Sequence, residues 1–293
     1  MAYFIVLCGG ILWGTTGTAL TFVPETVDSF VVAALRLAIG GVVLMVVLAF
    51  LGRFKFSNWP WKHIWIVSLA LALFQYSFFT SVRLTGVAVG TVVTIGSSPI
   101  FTGVLESIFL RTRPTRQWYV ATSLAIIGCA LLFLNKDEVM IHPLGILFAL
   151  CGGLMFATYS FGNKRIVAKI DTLEAVAIVF VISSLLLLPF FFVFSKEGLL
   201  TPSGLIAIVY MGVFTTALAY ILYSYGLKSI PSSSATTLAL AEPFTAAILS
   251  VVVVGEMLSR TSWFGVFLLL AGIVILTVQP DVSLLRRSKT WSK

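Results

Sequence analysis

Residues 219–276 read AYILYSYGLKSIPSSSATTLALAEPFTAAILSVVVVGEMLSRTSWFGVFLLLAGIVIL. Two short interruptions, at Ser229-Ile230-Pro231 and just after Gly255, divide this stretch into the end of one apolar run and two more of about 20 residues, the length needed to cross a bilayer. The runs lack the strict alternation of an outer-membrane barrel strand. In lipid, with no water to satisfy peptide groups, such runs form helices.

Working outward, the same pattern fills the chain. Ten stretches qualify as spans: 2–22, 28–51, 63–82, 87–110, 117–134, 143–163, 173–194, 205–227, 233–254 and 261–278. Turn or charge signals separate them at Pro24-Glu25, Asn58-Trp59-Pro60, Arg113-Pro114, Asn135-Lys136-Asp137, Lys169-Ile170-Asp171 and Lys196-Glu197-Gly198. The N-terminal MAYFIVLCGGILWG has no positive n-region and no convincing cleavage site, so it reads as a retained first span. Of the 293 residues, 59% are hydrophobic and 10% charged, and mean hydropathy is +1.07. Soluble domains carry about a quarter charged residues, so lipid is the solvent for much of this surface. The expected fold class is an all-α membrane protein of ten transmembrane helices.

The net charge of +8 forms no basic stripe or arm, and nucleic acid is not an expected partner. The basic residues instead occupy short loops. On one side fall Arg53, Lys55, Lys62, Arg111, Arg113, Arg116, Lys164, Arg165, Lys169, Lys228 and the tail residues Arg286, Arg287, Lys289 and Lys293. The other side has Arg83, Lys136, Lys196 and Arg260. The positive-inside rule then places both termini in the cytoplasm, with 281–293 as a basic cytoplasmic tail. Cys8, Cys129 and Cys151 each lie in an apolar run and read as packing residues. No metal site or cofactor is expected.

The chain also looks doubled. At an offset of 144, Gly9 meets Gly153, Tyr76 meets Tyr220, Pro99 meets Pro243, Arg116 meets Arg260 and Gly128 meets Gly272. Each pair falls at the same point of corresponding helices. The expected units are a first five-helix repeat over 1–136 and a second over 137–280. Five spans per unit is an odd number, so the units are expected to be inverted, an arrangement common in carriers.

Residues 219–276 resemble the last three helices of the EamA family of the drug/metabolite transporter superfamily. The matching marks are Ser232-Ser233-Ser234-Ala235, Pro243, Gly255-Glu256, Gly265 and Gly272. The first half carries a weaker copy in Trp13-Gly14, Arg36, Pro99 and Gly128, but Arg111-Thr112 stands where the family often has Gly-Glu. The resemblance covers essentially the whole chain. It implies ten helices with cytoplasmic termini, and export or exchange of small metabolites such as amino acids across a bacterial inner membrane. The aromatic content points within it to the aromatic-amino-acid exporter subgroup. The resemblance also selects helices 1, 3, 4, 6, 8 and 9 to line a central cavity. A drug or lipid-linked-metabolite carrier of the same superfamily is the alternative. The chain is read as a monomer whose partners are a small amphipathic solute and membrane lipid.

Candidate substrate-binding residues follow from polarity within the spans: Trp13, Gln75, Tyr76, Ser97, Ser98, Tyr159, Tyr220, Tyr223 and Glu242. Arg36 is a charge contact for a substrate carboxylate or a partner for a neighbouring helix. A charge near the bilayer centre costs at least about 2.5–3.5 kcal/mol, so Arg36 and Glu242 must face protein, water or ligand. Glu242 reads either as an amine contact or proton site, or as a fixed structural acceptor. For any single tyrosine, packing or interface anchoring competes with a site role. Pro99 and Pro243 are expected helix breaks, serving a midplane site or merely a kink. Glu106 is expected to snorkel toward Arg111. The small-residue spacings Gly10/Gly14 and Gly86/Gly90 predict close helix contacts. An enzyme is not expected. His63 and His142 lie at helix ends on opposite sides, and no second deep carboxylate accompanies Glu242. Nor is any selectivity filter of a channel visible.

Overall fold

In the computed structural model, residues 1–53, 59–133, 142–255 and 257–278 are described. The expected tail at 281–293, the junction at 136/137, and Lys55, Lys136 and Glu256 lie outside the described residues.

Ten helices follow one another: α1 Ala2–Leu20, α2 Ser29–Phe50, α3 Trp61–Gly86, α4 Val89–Leu110, α5 Arg116–Phe133, α6 Pro143–Val167, α7 Thr172–Val193, α8 Pro202–Leu227, α9 Ser232–Val253 and α10 Arg260–Val278. Among the described residues, nine are long and apolar enough to cross a membrane, and α5 is the shorter tenth. Extended pairing among the described residues amounts to one isolated bridge, Val27 with Lys196.

Local chemistry sets where helices begin. The Asp28 side chain accepts from the Phe30 N–H at 3.0 Å, and Asp171 accepts from Leu173 at 2.9 Å, so α2 and α7 start on matching aspartate caps. Pro143 and Pro202 occupy first turns, where their missing N–H groups are harmless. The α3–α4 connection is tighter than expected. The helix runs to Gly86, whose φ of +81° is open to glycine and strained for other residues, and then reverses. A Cβ on Gly86 would meet nothing, so Gly86 is a turn residue rather than half of a helix-contact pair.

Packing is reciprocal between the two halves. The pairs α2 with α7 and α5 with α10 each join one helix from each half, while α1 packs on α8 and α9, and α6 on α3 and α4. Particular contacts repeat at the 144-residue offset. A Cβ on Gly128 would strike Leu269, and one on Gly272 would strike Ala125, which is the same contact with the halves exchanged. Gly10 lies against Leu238 and Ala241, and Gly153, one residue out of that register, lies against the equivalent Thr94 and Ser97. Such backbone proximity is what small residues supply where apolar burial gives no net drive between helices.

Two helices depart from regularity. In α8, residues Met211–Leu218 form a π-helical segment just before Tyr220. In α9, the helix Ser232–Leu238 ends and a second begins at Ala241. There the Leu240 N–H donates to Thr237 O at 3.1 Å and the Glu242 N–H to Ala239 O at 2.9 Å, tightening the chain ahead of Pro243. The expected companion break at Pro99 does not form, since α4 keeps helical dihedrals through that residue. A proline removes one donor and fits helical φ, so a helix can absorb it as a bend.

The α5–α10 contact yields a direct test. A Cβ on Gly128 would lie 2.6 Å from Gly265 O, whereas one on Gly17 would meet nothing. Gly128→Val should lower the melting temperature of detergent-purified protein markedly, by at least the about 1–3 kcal/mol typical of overpacking. Gly17→Ala should leave it unchanged.

Candidate functional site

Aromatic side chains from four helices meet at the centre of the bundle. The Trp13 ring of α1 lies 4.9 Å from Tyr220 and 5.1 Å from Tyr223 of α8, and 5.9 Å from Phe156 of α6. Tyr159 is 5.7 Å from Tyr220, and Phe180 of α7 is 5.0 Å from it. Edge-to-face pairs such as Trp13–Tyr220 contribute about 0.5–1.5 kcal/mol each beyond burial. Together these rings form an aromatic wall.

A hydrogen-bonded layer anchors the tyrosines. The Tyr223 hydroxyl pairs with Ser160 Oγ at 2.8 Å. Asn163 Nδ2 donates to Ser224 Oγ at 2.8 Å and, more weakly, to the Tyr159 hydroxyl at 3.4 Å. Satisfied hydroxyls of this kind fix ring orientation in a low-dielectric interior. Asn163, an amide at the end of an expected span, was the legible signal for this layer. Phe156 and Phe180 carry no signal that separates them from ordinary packing.

Two charges border the aromatic wall. Arg36 of α2 donates through Nη2 to Gln75 Oε1 of α3 at 2.9 Å. It is within electrostatic reach of both Tyr220 and the Glu242 carboxylate. Glu242 lies in the first turn of the second segment of α9, where the helix dipole favours a negative group. Close packing holds that segment in place: Gly14 of α1 abuts the Glu242 carbonyl and Thr245. Trp13, Gln75, Tyr159, Tyr220, Tyr223, Arg36 and Glu242 are thus brought into one neighbourhood.

The remaining candidates lie elsewhere. Tyr76 stacks with Phe30 at 5.5 Å and packs on Phe190 at 5.4 Å, in a separate aromatic cluster of α2, α3 and α7. Being next to Gln75, it leaves the helix about 100° away, and the two cannot share a face. Ser98 donates to Thr94 O at 2.8 Å and Ser97 to the same carbonyl at 3.2 Å, so both hydroxyls are engaged within α4. Ser97 keeps partial exposure where α4 meets Gly153 of α6.

Glu106 corrects an expectation. Its carboxylate does not snorkel to Arg111 but is buried, accepting from the Ser232 N–H at 2.6 Å, the Ser233 N–H at 3.3 Å and the Ser233 hydroxyl. It caps α9 from α4, satisfying donors that a helix start leaves unpaired. Lys164 donates to the Ile230 carbonyl beside it. The Glu106 contacts and the Trp59 Nε1 donation to Glu174 at 2.8 Å tie the halves on the face where α1 begins and α10 ends. On the opposite face, the Asp28 N–H donates to Ser195 O at 3.1 Å and the Thr26 hydroxyl to Glu197 O at 2.6 Å. There Arg83 pairs with Asp28 at 3.3 Å and lies over the Phe30 and Phe194 rings.

A family model matches this ten-helix bundle. The EamA-like transporter family model covers residues 1–134 and 143–278. The chain belongs to the EamA-like transporter family. Like other members, it is a multi-pass membrane protein, and its relatives are named as transporters. It is 39% identical to the uncharacterized transporter YwfM of Bacillus subtilis over 97% of this chain and 95% of that one. It is 26% identical to the uncharacterized inner membrane transporter YicL of Salmonella typhimurium over 93% and 94%. A protein crystal structure 20% identical in sequence matches with a TM-score of 0.83 over 98% of both chains, a likeness of fold.

The Glu106 cap predicts that Glu106→Ala, which strands the Ser232 and Ser233 donors, destabilises the protein by about 1–3 kcal/mol or more. Arg111→Ala should be neutral. Melting curves in detergent distinguish the two, and equal effects would restore the Arg111 pairing.

Proposed function

We propose that this EamA-like protein is a secondary transporter that exports or exchanges small amphipathic metabolites, amino acids foremost, across a bacterial inner membrane. It works as a monomer with both termini cytoplasmic and without a cofactor. Its halves, 1–136 and 137–280, are inverted repeats that rock about the central cluster to expose it to each side in turn. The observation that carries this reading is Glu242 at the discontinuity of α9, opposite Arg36 and beside Tyr220. Broken helices near the midplane are where carriers hold substrates and coupling ions, because freed backbone groups and half-helix ends face the cavity there. The repetition of contacts at the 144-residue offset supports the two-fold relation. Inter-half ties on both faces fit a cycle in which one set opens while the other holds.

In this mechanism Glu242 takes a substrate ammonium or a proton, and Trp13, Tyr159 and Tyr220 cover the apolar part of the solute. The aromatic wall suits aromatic or long apolar side chains, as in the aromatic-amino-acid exporter subgroup. Glu242→Gln keeps volume and most hydrogen bonds but deletes the titration. The variant should insert and melt like the parent, yet lose flux of labelled amino acids in proteoliposomes or lose the pH dependence of that flux. Unchanged flux from pH 5 to 8 would reduce Glu242 to a packing residue.

A further inference from the structure

Three nitrogen donors around Tyr220 have no acceptor. Trp13 Nε1 on α1, Arg36 Nε on α2 and Gln75 Nε2 on α3 are each enclosed without a hydrogen bond. Trp13 and Gln75 are 6% and 1% exposed. Leaving such a donor unmet is costly, and more so for a charged group, so native interiors contain few of them. Three that belong to one linked group of residues on three helices require a common reason.

Their arrangement supplies one. Gln75 spends its oxygen on Arg36 Nη2, which leaves the amide nitrogen as the free end of the side chain. Arg36 has no carboxylate within ion-pair distance among the described residues, although it feels the charge of Glu242. Tyr220 links the group, lying 4.9 Å from the Trp13 ring and within electrostatic reach of Arg36. All three are donors, and one of them belongs to a guanidinium. The partner that fits them is therefore an acceptor carrying negative charge.

We infer that Arg36, Gln75 and Trp13 form an anion subsite that takes the carboxylate of the transported solute. The inference rests on the transport reading above and adds which end of the solute is recognised and by which atoms. A planar carboxylate matches the fork of a guanidinium. One guanidinium with two neutral donors, within electrostatic reach of the Glu242 carboxylate, suits a single negative charge better than a phosphate dianion. Glu242 is then left for the ammonium end, so a zwitterion spans both charges.

The full-length protein in proteoliposomes is tested with labelled proteinogenic L-amino acids. The one moved fastest is then competed with its own amide and with its decarboxylated amine. Both competitors should be at least about tenfold weaker than the parent amino acid, because each loses the charge-assisted contact to Arg36. Arg36→Gln should erase most of that gap. Trp13→Phe, which removes only the indole N–H and a little volume, should narrow it several-fold even if Arg36→Gln does not fold. A purely structural role for these residues would change expression or melting without changing the ratio of acid to amide. Equal competition by all three compounds, or an undiminished gap in both variants, overturns the subsite while leaving the transporter intact. Flux of amines or neutral solutes without any flux of amino acids does the same. Absence of flux for every solute class from well-folded protein overturns the transport reading itself, and the subsite with it.

Discussion

In the hydrocarbon core no water is available to a peptide group, so each N–H and C=O must find its partner within the protein. That requirement turns the ten apolar runs into helices, and it makes any interruption within the bundle costly. The interruption between Leu238 and Ala241 in α9 therefore needs local compensation, which the Leu240 and Glu242 N–H groups provide by bonding to carbonyls three residues back. The reward is a carboxylate placed at a helix start rather than along an unbroken helical flank. Around it the bundle concentrates the groups that lipid would not accept, Arg36 and Gln75 among them.

The same economy of polar groups joins the halves. Glu106 would be expensive where it lies were it not satisfied by the start of α9. That start in turn has no capping side chain of its own. Each end solves the other's problem, and the result is a bond between an early helix and a late one. Glycine contacts do the complementary work, bringing α1 onto α9 and α5 onto α10 closely enough for dispersion to hold them. The bundle thus has adhesive seams inside each pair of helices and polar ties at its two faces.

Helix number and order were legible in the sequence because lipid imposes a length and a composition that few other environments share. Trp13, Tyr220 and Glu242 were legible as well, since polar and aromatic groups stand out within apolar runs. Pairings across the bundle were not. Glu106 looked like an interfacial residue because Arg111 is close in sequence, and only the fold brings Ser232 to it. Tyr76 matched Tyr220 in the repeat, yet the two halves use the position differently: Tyr220 faces Trp13, and Tyr76 faces Phe30 and Phe190. Pro99 and Pro243 likewise share a place in the repeat, but α4 runs on through its proline where α9 is divided ahead of its own. Equivalent positions in the two halves therefore need not make equivalent contacts.

The central claim is that the halves move against each other about this cluster. Thr26 and Glu197 touch across them on the face where α1 ends and α2 begins. In a background lacking Cys8, Cys129 and Cys151, Thr26→Cys combined with Glu197→Cys places a removable cross-link at that seam. Flux in proteoliposomes should stop once the disulfide has formed and return on reduction, with each single cysteine variant unaffected. Full flux through the completely cross-linked protein would contradict the account.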